Sequence, residues 1–239
     1  MSETATPLVD IPCLRCQVRN RAICAALEDD QLVDLNAISE HVTLERDQNV
    51  FFEGDPADYL FNIIEGNIRV HKSLADGRRQ ITGFLYTGDF VGLSVAGMYP
   101  YSAETISKTT LCRFSRKGLS KIIDKYPKFE HNLLQLASNE LAAAQEHVLL
   151  LGRKTAAEKL CSFLLNTARK QSGSLASDVI RLPMTRQDIA DYLGLTIETV
   201  SRTFTRLKKN GVIGLPEKDL VSVSNSDVLE DYALGDVSL

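Results

Sequence analysis

The chain has 239 residues, enough for one large or two modest domains with their own cores. Its 44% apolar and 24% charged residues are ordinary for a folded protein. No apolar run reaches the ~20 residues that cross a bilayer. Residues 1–12 lack the basic and apolar regions of a secretion signal. These features predict a cytoplasmic protein that does not enter a membrane.

The charge is distributed unevenly along the chain. The net charge is −4, yet residues 153–211 contain 11 Lys and Arg against five Asp and Glu, a local charge of +6. The remainder of the chain is therefore acidic, with a charge of −10. A basic C-terminal module on an acidic body is typical of a localised nucleic-acid site.

Three of the five cysteines lie in a segment comprising residues 1–28. Cys13 and Cys16 are separated by two residues, and Cys24 follows Cys16 after seven more. An odd number of cysteines without a secretion signal favours metal or thiol chemistry over a disulfide framework. Spacing alone leaves an iron–sulfur cluster, a zinc site and unrelated thiols open. Cys161, among Leu160, Phe163 and Leu164, is predicted to be a core residue.

Residues 29–126 contain short β patterns separated by glycine turns. Strand patterns are interrupted at Gly54, Gly66, Gly77 and Gly88, each beside an Asp, Glu or Asn. Short strands at roughly even spacing predict an antiparallel barrel or roll. Cys112 lies in one of these strand patterns, within residues 110–114.

Residues 127–152 follow a helical pattern after Pro127. Apolar residues recur at spacings of three and four, which is the pattern of a helix–helix seam. We predict that this is a dimerisation helix; the alternative is a helix packed on its own domain. The seam consists of Leu134, Ala137, Leu141, Ala144, Val148 and Leu151.

Residues 153–239 are predicted to form a DNA-binding domain with a helix-turn-helix at residues 185–210. Thr185 and Asp188 resemble a capping box, Gly194 supplies the turn, and Thr196 caps the second helix. Two strand patterns at 212–215 and 220–223 follow as a wing. On the second helix the residues predicted to face inward are Ile197, Val200, Phe204 and Leu207.

The outward face of the second helix carries side chains suited to DNA. Arg202 can grip guanine O6 and N7, and Glu198 can accept a hydrogen bond from cytosine N4. An ordinary exposed ion pair is the alternative for these two residues. The cationic residues farther along are predicted to contact phosphates: Arg206, Lys208 and Lys209.

Residues 185–210 and a set of glycine-rich motifs together resemble the CRP/FNR superfamily of bacterial regulators. The motifs are Phe52-Glu53-Gly54-Asp55, Leu60-Phe61, Gly66, Gly77, Gly83-Phe84 and Gly88-Asp89-Phe90-Val91-Gly92-Leu93. The resemblance implies an α+β chain: an N-terminal antiparallel β-roll of jelly-roll type, a long dimerisation helix and a C-terminal winged helix-turn-helix. It also implies a homodimer on palindromic double-stranded DNA, with RNA polymerase as a partner if the protein activates transcription.

The recognition helix is similar to that of the FNR branch. This similarity implies TTGAT-like half-sites read by Glu198, Ser201 and Arg202, with Arg186, Thr196 and Thr199 as further phosphate contacts. It also implies an oxygen-labile [4Fe–4S] cluster held by Cys13, Cys16, Cys24 and Cys112, which promotes dimerisation. The seven residues before Cys24 depart from the five of the best-known members, so the assignment of Cys24 rests on a variant spacing.

Two alternatives and two expected absences accompany this interpretation. A regulator that uses thiol oxidation or zinc is the nearer alternative; an iron–sulfur enzyme or electron carrier is the other. The sequence shows no nucleophile and base set and no phosphate-binding loop, so we expect no enzyme activity. Tyr101 stands where cyclic-nucleotide binders of the superfamily have a phosphate-binding Arg. We therefore expect no cyclic nucleotide.

Overall fold

The computed structural model describes residues 11–94, 96–172 and 179–236. The first ten residues of the predicted cysteine-rich segment, and residues 173–178 and 237–239 of the predicted DNA-binding domain, lie outside this description. The chain divides into two compact units. Unit 1 comprises residues up to Val70 and Leu85–Glu140, and unit 2 comprises His71–Phe84 and the residues from Leu141 onward.

Unit 1 begins with a compact segment that contains little regular structure. Two short 3-10 helices, Pro12–Arg15 and Ile23–Ala26, precede helix α1, Leu32–Ala37. Ile23 and Leu32 are fully buried. Together with Phe114 and Phe129 they form one apolar cluster, which anchors the cysteine-rich segment to the rest of the unit.

The strands that follow confirm the predicted antiparallel roll. They form two four-stranded sheets, ordered β1-β8-β3-β6 and β2-β7-β4-β5. Between them, Phe61, Ile63 and Leu111 belong to a second apolar cluster within unit 1. The strands are β1 Ser39–Leu44, β2 Asn49–Phe51, β3 Tyr59–Glu65, β4 Ile68–Ser73, β5 Arg79–Leu85, β6 Phe90–Val91, β7 Ser102–Thr105 and β8 Thr109–Ser115.

The two faces of β3 serve different clusters because successive side chains of a strand alternate. Phe61 and Ile63 face the cluster between the sheets. Leu60 and Ile64 belong to the cluster that holds the cysteine-rich segment. Asn62, between them, is therefore placed on the same side as the cysteines, and it pairs in register with Cys112 of β8.

Helix α2, Arg116–Lys125, leads into the long helix α3, Pro127–Arg153. The prediction of a long helix after Pro127 is confirmed, and Gly152 does not end it. Phe129 is fully buried in unit 1. The residues of α3 are shared between the units, with the division after Glu140.

Unit 2 contains the predicted helix-turn-helix and its wing. Helices α5 and α6 are joined at Gly194, and the three-stranded antiparallel wing has the order β10-β11-β9. Besides His71–Phe84 of β4 and β5 and the part of α3 from Leu141 onward, its elements are α4 Ala156–Ser172, β9 Val179–Arg181, α5 Arg186–Leu193, α6 Ile197–Lys209, β10 Ile213–Glu217, β11 Leu220–Val223 and α7 Ser226–Leu234. Within the described residues, no helix combines the length and apolar character needed to cross a membrane.

The prediction that Ile197 faces inward is wrong. Its side chain is 38% exposed, whereas Val200, Phe204 and Leu207 are buried as predicted. Ile197 is the first residue of α6. Helical periodicity by itself therefore does not determine whether a residue at the end of a helix is buried.

Gly66 provides a test of the roll, because its backbone and its surroundings both require glycine. Its φ is +99°, and a Cβ there would lie 2.5 Å from Thr109 Oγ1 and 2.6 Å from the Lys108 carbonyl oxygen. Gly54 has a similar φ of +87° with nothing within 4 Å. We expect Gly66→Ala to lower the free energy of unfolding by at least about 1 kcal/mol more than Gly54→Ala. Urea denaturation of both variants tests this, and equal losses would contradict it.

Candidate nucleic-acid interface and cysteine site

The start of α5 is fixed by reciprocal hydrogen bonds. The Asp188 amide donates to Thr185 Oγ1 at 3.1 Å, and the Thr185 amide donates to Asp188 Oδ2 at 2.9 Å. This is the capping box that the sequence predicted. Gly194 ends α5 with a φ of +61°, a conformation that favours glycine.

Helix α6 packs on α5 through residues that are almost completely buried. Ile189, Ala190 and Leu193 of α5 are fully buried, as is Val200 of α6; Phe204 is 2% exposed. This packing sets the angle at which α6 is presented, and it leaves the opposite face of α6 in solvent. Exposed on α6 are Glu198, Ser201, Arg202, Arg206, Lys208 and Lys209.

The N-terminal turn of α6 is organised by its own side chains. The Thr199 amide donates to Thr196 Oγ1 at 3.2 Å, and Arg202 Nη2 donates to Thr199 Oγ1 at 3.4 Å. The pKa of Glu198 is lowered, first by a hydrogen bond from its own backbone amide, then by Thr196 and by the charge of Arg202. The Glu198 carboxylate and the Arg202 guanidinium therefore interact electrostatically at the helix end predicted to read DNA.

Arg186 is placed differently from the exposed cations. Its guanidinium carbon lies 3.2 Å from the centre of the Phe204 ring, so it bridges α5 and α6. Burial lowers the pKa of Arg186 to about 10. Its Nη1 is buried and has no hydrogen-bond partner among the described residues. Arg186, which is predicted to contact a phosphate, is thus half-buried in the structure.

The predicted seam residues on α3 are mostly in solvent. Leu134, Leu141 and Val148 are 64%, 61% and 70% exposed, at intervals of seven residues. Ala137 and Ala144 on the same face are exposed too. Leu151 differs: it is half-buried and approaches Gly194 within unit 2.

The four cysteines of the predicted cluster meet in one region of unit 1. Cys24 and Cys112 are each 8% exposed within the apolar cluster, and Cys13 and Cys16 pack against it. Burial raises the pKa of the Cys24 thiol to about 11, with contributions from Cys16 and Cys13. Burial raises that of Cys112 to about 12, with contributions from Cys13, Cys24 and Cys16. Cys112 thus interacts electrostatically with the other three thiols, and Cys24 with Cys13 and Cys16.

The immediate contacts of the thiols are polar. Cys13 Sγ lies 3.6 Å from Asn36 Oδ1, and Cys24 Sγ lies 3.8 Å from the Arg19 carbonyl oxygen. Asn62, beside Cys112, is 2% exposed, and its Oδ1 has no partner within the described part of the chain. In that same part, no three Cys, His, Asp or Glu side chains are arranged so as to hold a single metal ion.

Two residues in this region were not anticipated from the sequence. Asn62 lies in an apolar strand pattern, and its position beside Cys112 follows only from the pairing of β3 with β8. Asn132 of α3 donates from Nδ2 to the Ile23 carbonyl oxygen at 3.0 Å, next to Cys24. Asn132 therefore connects the cysteine-rich segment directly to the long helix. Its only sequence signal is a polar residue within an amphipathic helix.

Cys161 lies apart from this region. It is fully buried on α4 in unit 2, and burial raises the pKa of its thiol to about 12. The prediction that Cys161 is a core residue is confirmed.

The glycine-rich segment after β6 is occupied by groups of the same chain. Tyr101 accepts a hydrogen bond from the Gly92 amide at 3.5 Å. The Arg116 guanidinium donates to the carbonyl oxygens of Gly92, at 3.0 Å, Ser94, at 2.8 Å, and Ala57. Arg116 was another residue that sequence analysis did not single out, because its partners are backbone groups distant in sequence.

Comparisons with known proteins match both parts of the chain. Residues 182–213 match the model for bacterial regulatory proteins of the crp family, and residues 41–126 match the cyclic nucleotide-binding domain. The chain is 42% identical to the nitrogen fixation regulation protein FixK of Bradyrhizobium diazoefficiens, covering 85% of this chain and 86% of that protein. It is 37% identical to the transcriptional activator protein FnrL of Cereibacter sphaeroides, covering 89% and 88%. The solved structure of FixK2 from Bradyrhizobium japonicum superimposes with a TM-score of 0.78 at 34% identity, covering 82% and 97%.

His147 gives a pH-dependent prediction for unit 2. Its ring lies 4.2 Å from that of Tyr192 on α5, and both ring nitrogens are buried without a partner among the described residues. Burial, and then the charge of Lys159, lower its pKa below the usual 6.5. The unfolded chain therefore binds a proton near pH 6.5 that the folded unit resists, so stability falls as the pH drops below that value.

We expect wild type to lose more stability between pH 7.5 and 5.5 than His147→Phe, which retains the aromatic contact. Thermal unfolding at both pH values measures this. His131→Phe, at an exposed position of the same helix, is the control and should behave as wild type. An unchanged pH dependence in His147→Phe would contradict the assignment.

Proposed function

The chain belongs to the CRP/FNR family of bacterial regulators, and on that basis we propose that it controls transcription in response to oxygen. Like these relatives, it is a DNA-binding transcription regulator and not an enzyme. We propose further that it is a cytoplasmic homodimer, that a [4Fe–4S] cluster is its sensor, and that it regulates anaerobic or microaerobic genes. The convergence of four cysteine thiols in one largely buried region carries this proposal.

The side chains of that region have the chemistry that such a cluster requires, although no three of the described ones are arranged around a single metal ion. Cys13, Cys16, Cys24 and Cys112 provide four thiols, the ligand set that a [4Fe–4S] cluster requires. The carboxamide of Asn62 is buried beside Cys112, and its Oδ1 has no partner among the described residues, so a polar group lies next to the thiols in this otherwise apolar region. When bound, the cluster supplies a covalent connection that oxygen destroys. Although seven residues separate Cys16 from Cys24, Cys13 and Cys16 both raise the pKa of the Cys24 thiol.

Ligation by the four thiols would fix the cysteine-rich segment against β8 and α3. Cys112 belongs to β8, whereas the other three cysteines belong to the N-terminal segment. Asn132 hydrogen-bonds to Ile23 beside Cys24, and Phe129, Leu133 and Leu136 contact the same apolar cluster. A change in the cysteine segment therefore reaches the first half of α3 through direct contacts.

The exposed face of α3 is the proposed dimer seam. Leu134, Leu141 and Val148 form an apolar stripe whose burial against a second copy is favourable by about 25 cal/mol per Å². Ala137 and Ala144 permit close approach of the two helices. Leu151 contributes less to this seam, because it is half-buried within unit 2.

The dimer would present two α6 helices to a palindromic site with TTGAT-like half-sites. Glu198, Ser201 and Arg202 are proposed to read bases. The proposed phosphate contacts are Arg186, Thr196, Thr199, Arg206, Lys208 and Lys209. RNA polymerase would be a further partner if the protein activates transcription.

We propose that the roll binds no cyclic nucleotide, although its domain family is named for one. Tyr101 and Arg116 support this: they engage the Gly92 amide and the Gly92 and Ser94 carbonyl oxygens within the chain. A ligand phosphate would have to displace these bonds without a free guanidinium to receive it.

Purification without oxygen tests the sensor. We expect a coloured protein with about four iron and four sulfide per chain. On exposure to air it should lose colour, dissociate and bind DNA less tightly. Cys24→Ser should lose the iron, whereas Cys161→Ser, which alters a buried cysteine of unit 2, should keep it. A colourless zinc protein, or equal DNA binding with and without oxygen, would overturn the proposal.

DNA reading is tested by comparing Arg202→Ala with Lys208→Ala. We expect Arg202→Ala to weaken binding to a TTGAT palindrome roughly 5-fold to 100-fold and to relax the preference at one base pair. Lys208→Ala should weaken binding to all sequences alike. It should also reduce the slope of log Kd against the logarithm of the salt concentration by about one. Fluorescence anisotropy with single-base variants of the site distinguishes the two patterns. Identical behaviour of the two variants would refute the assigned roles.

A further inference from the structure

We propose that Arg79, on β5, is a positioning residue for DNA reading that holds the first helix of the helix-turn-helix in place. This inference rests on the proposed base-reading role of α6. Arg79 lies more than 100 residues from α5 in sequence, and both belong to unit 2. Nothing in the motif at residues 185–210 points to it.

The Arg79 guanidinium bridges two carboxylates of α5. Nη2 donates to Asp188 Oδ1 at 2.6 Å, and Nε donates to Asp191 Oδ2 at 2.7 Å. The planar fork of an arginine can satisfy two acceptors at once in a fixed geometry, which a lysine ammonium cannot reproduce. The contact therefore fixes both the position of α5 and its rotation about its own axis.

Asp188 makes this contact consequential because its side chain is only 1% exposed. Its Oδ2 accepts hydrogen bonds from the Thr185 amide and hydroxyl, at 2.9 and 2.7 Å, as part of the capping box. Its Oδ1 faces Arg79. Removing Arg79 would take a charge-assisted hydrogen bond away from a buried carboxylate at the first turn of α5, so the local structure would have to adjust.

Neighbouring residues of the same strand extend the support. Gln80 Nε2 donates to the Tyr192 carbonyl oxygen at 3.1 Å, at the end of α5. The Phe84 ring lies 5.3 Å from the Tyr192 ring and 6.0 Å from that of Phe163 on α4. The strand thus contacts α5 on Asp188, Asp191 and Tyr192, whereas α6 packs against Ile189, Ala190 and Leu193. Helix α5 is held from two sides.

The functional consequence follows from the different tolerances of base and phosphate contacts. Base reading requires α6 to be placed within a fraction of an ångström, whereas long cationic side chains can follow a displaced phosphate. Loosening α5 shifts α6 because the two are packed together. Loss of Arg79 should therefore reduce sequence-specific binding more than non-specific binding.

The test uses the full chain prepared without oxygen, with Arg79→Ala, Arg79→Lys and Asp191→Asn compared with wild type. Arg78→Ala is the matched control, because Arg78 is exposed and pairs with Asp76 in the hairpin turn at 2.8 Å. Kd is measured on the best duplex selected by wild type from random-sequence DNA and on a scrambled duplex, over a range of salt concentrations. Circular dichroism and sedimentation are used to compare the folding and the dimerisation of each variant with those of wild type.

We expect Arg79→Ala to raise Kd for the selected duplex about tenfold, with little change for the scrambled duplex and an unchanged salt dependence. Arg79→Lys and Asp191→Asn should show smaller losses of the same kind, and Arg78→Ala none. Equal losses on both duplexes would indicate a merely structural role and overturn the proposal. A salt dependence of log Kd lowered by about one would place Arg79 on a phosphate instead, and also overturn it. A wild type that prefers no sequence would count against the proposed function itself.

Discussion

Helix α3 has an apolar face that the described chain leaves uncovered, and the proposed regulation depends on that constraint. With 27 residues it is about 40 Å long. Near its start, the side chain of Phe129 is buried in unit 1, and near its end that of Leu150 is buried in unit 2. Between them Leu134, Leu141 and Val148 remain in solvent. Burial of this stripe against a second copy of the helix is favourable, so a change in the position of α3 can change the affinity of the proposed dimer.

The cysteine region contacts this helix directly. The N-terminal segment has little regular structure, and it is held by an apolar cluster that also contains Cys24 and Cys112. Such a segment depends on its side-chain contacts, because it has few backbone ladders of its own. In the proposed mechanism, ligation of its thiols would strengthen those contacts, and the hydrogen bond from Asn132 to Ile23 would pass the effect to α3.

The DNA-reading unit is stabilised by contacts that satisfy buried polar groups. Asp188 closes the capping box of α5 and also receives Arg79 from β5. Arg186 lies on the Phe204 ring between the two helices. These interactions place α6 without touching its exposed face, so Glu198, Ser201 and Arg202 remain available. Arg186 shows that a cation in a DNA-binding motif can also contribute to packing.

The sequence by itself determined the features that depend on local periodicity. Thr185, Asp188, Gly194 and Thr196 are fixed by capping and turn chemistry within a few residues, and so the helix-turn-helix could be predicted from them. The roll was predictable because its turns require glycine at positions such as Gly66. The long helix followed from the spacing of its apolar residues.

Only the tertiary structure decided which distant residues meet. Cys112 meets the other cysteines because β8 and the N-terminal segment share one apolar cluster, and Asn62 lies beside Cys112 because β3 and β8 pair in that register. Arg79 contacts Asp188 across more than 100 residues. Ile197 is exposed although its spacing matches that of the buried residues of α6. Spacing along the chain carries no information about such contacts, since they depend on how separate elements pack together.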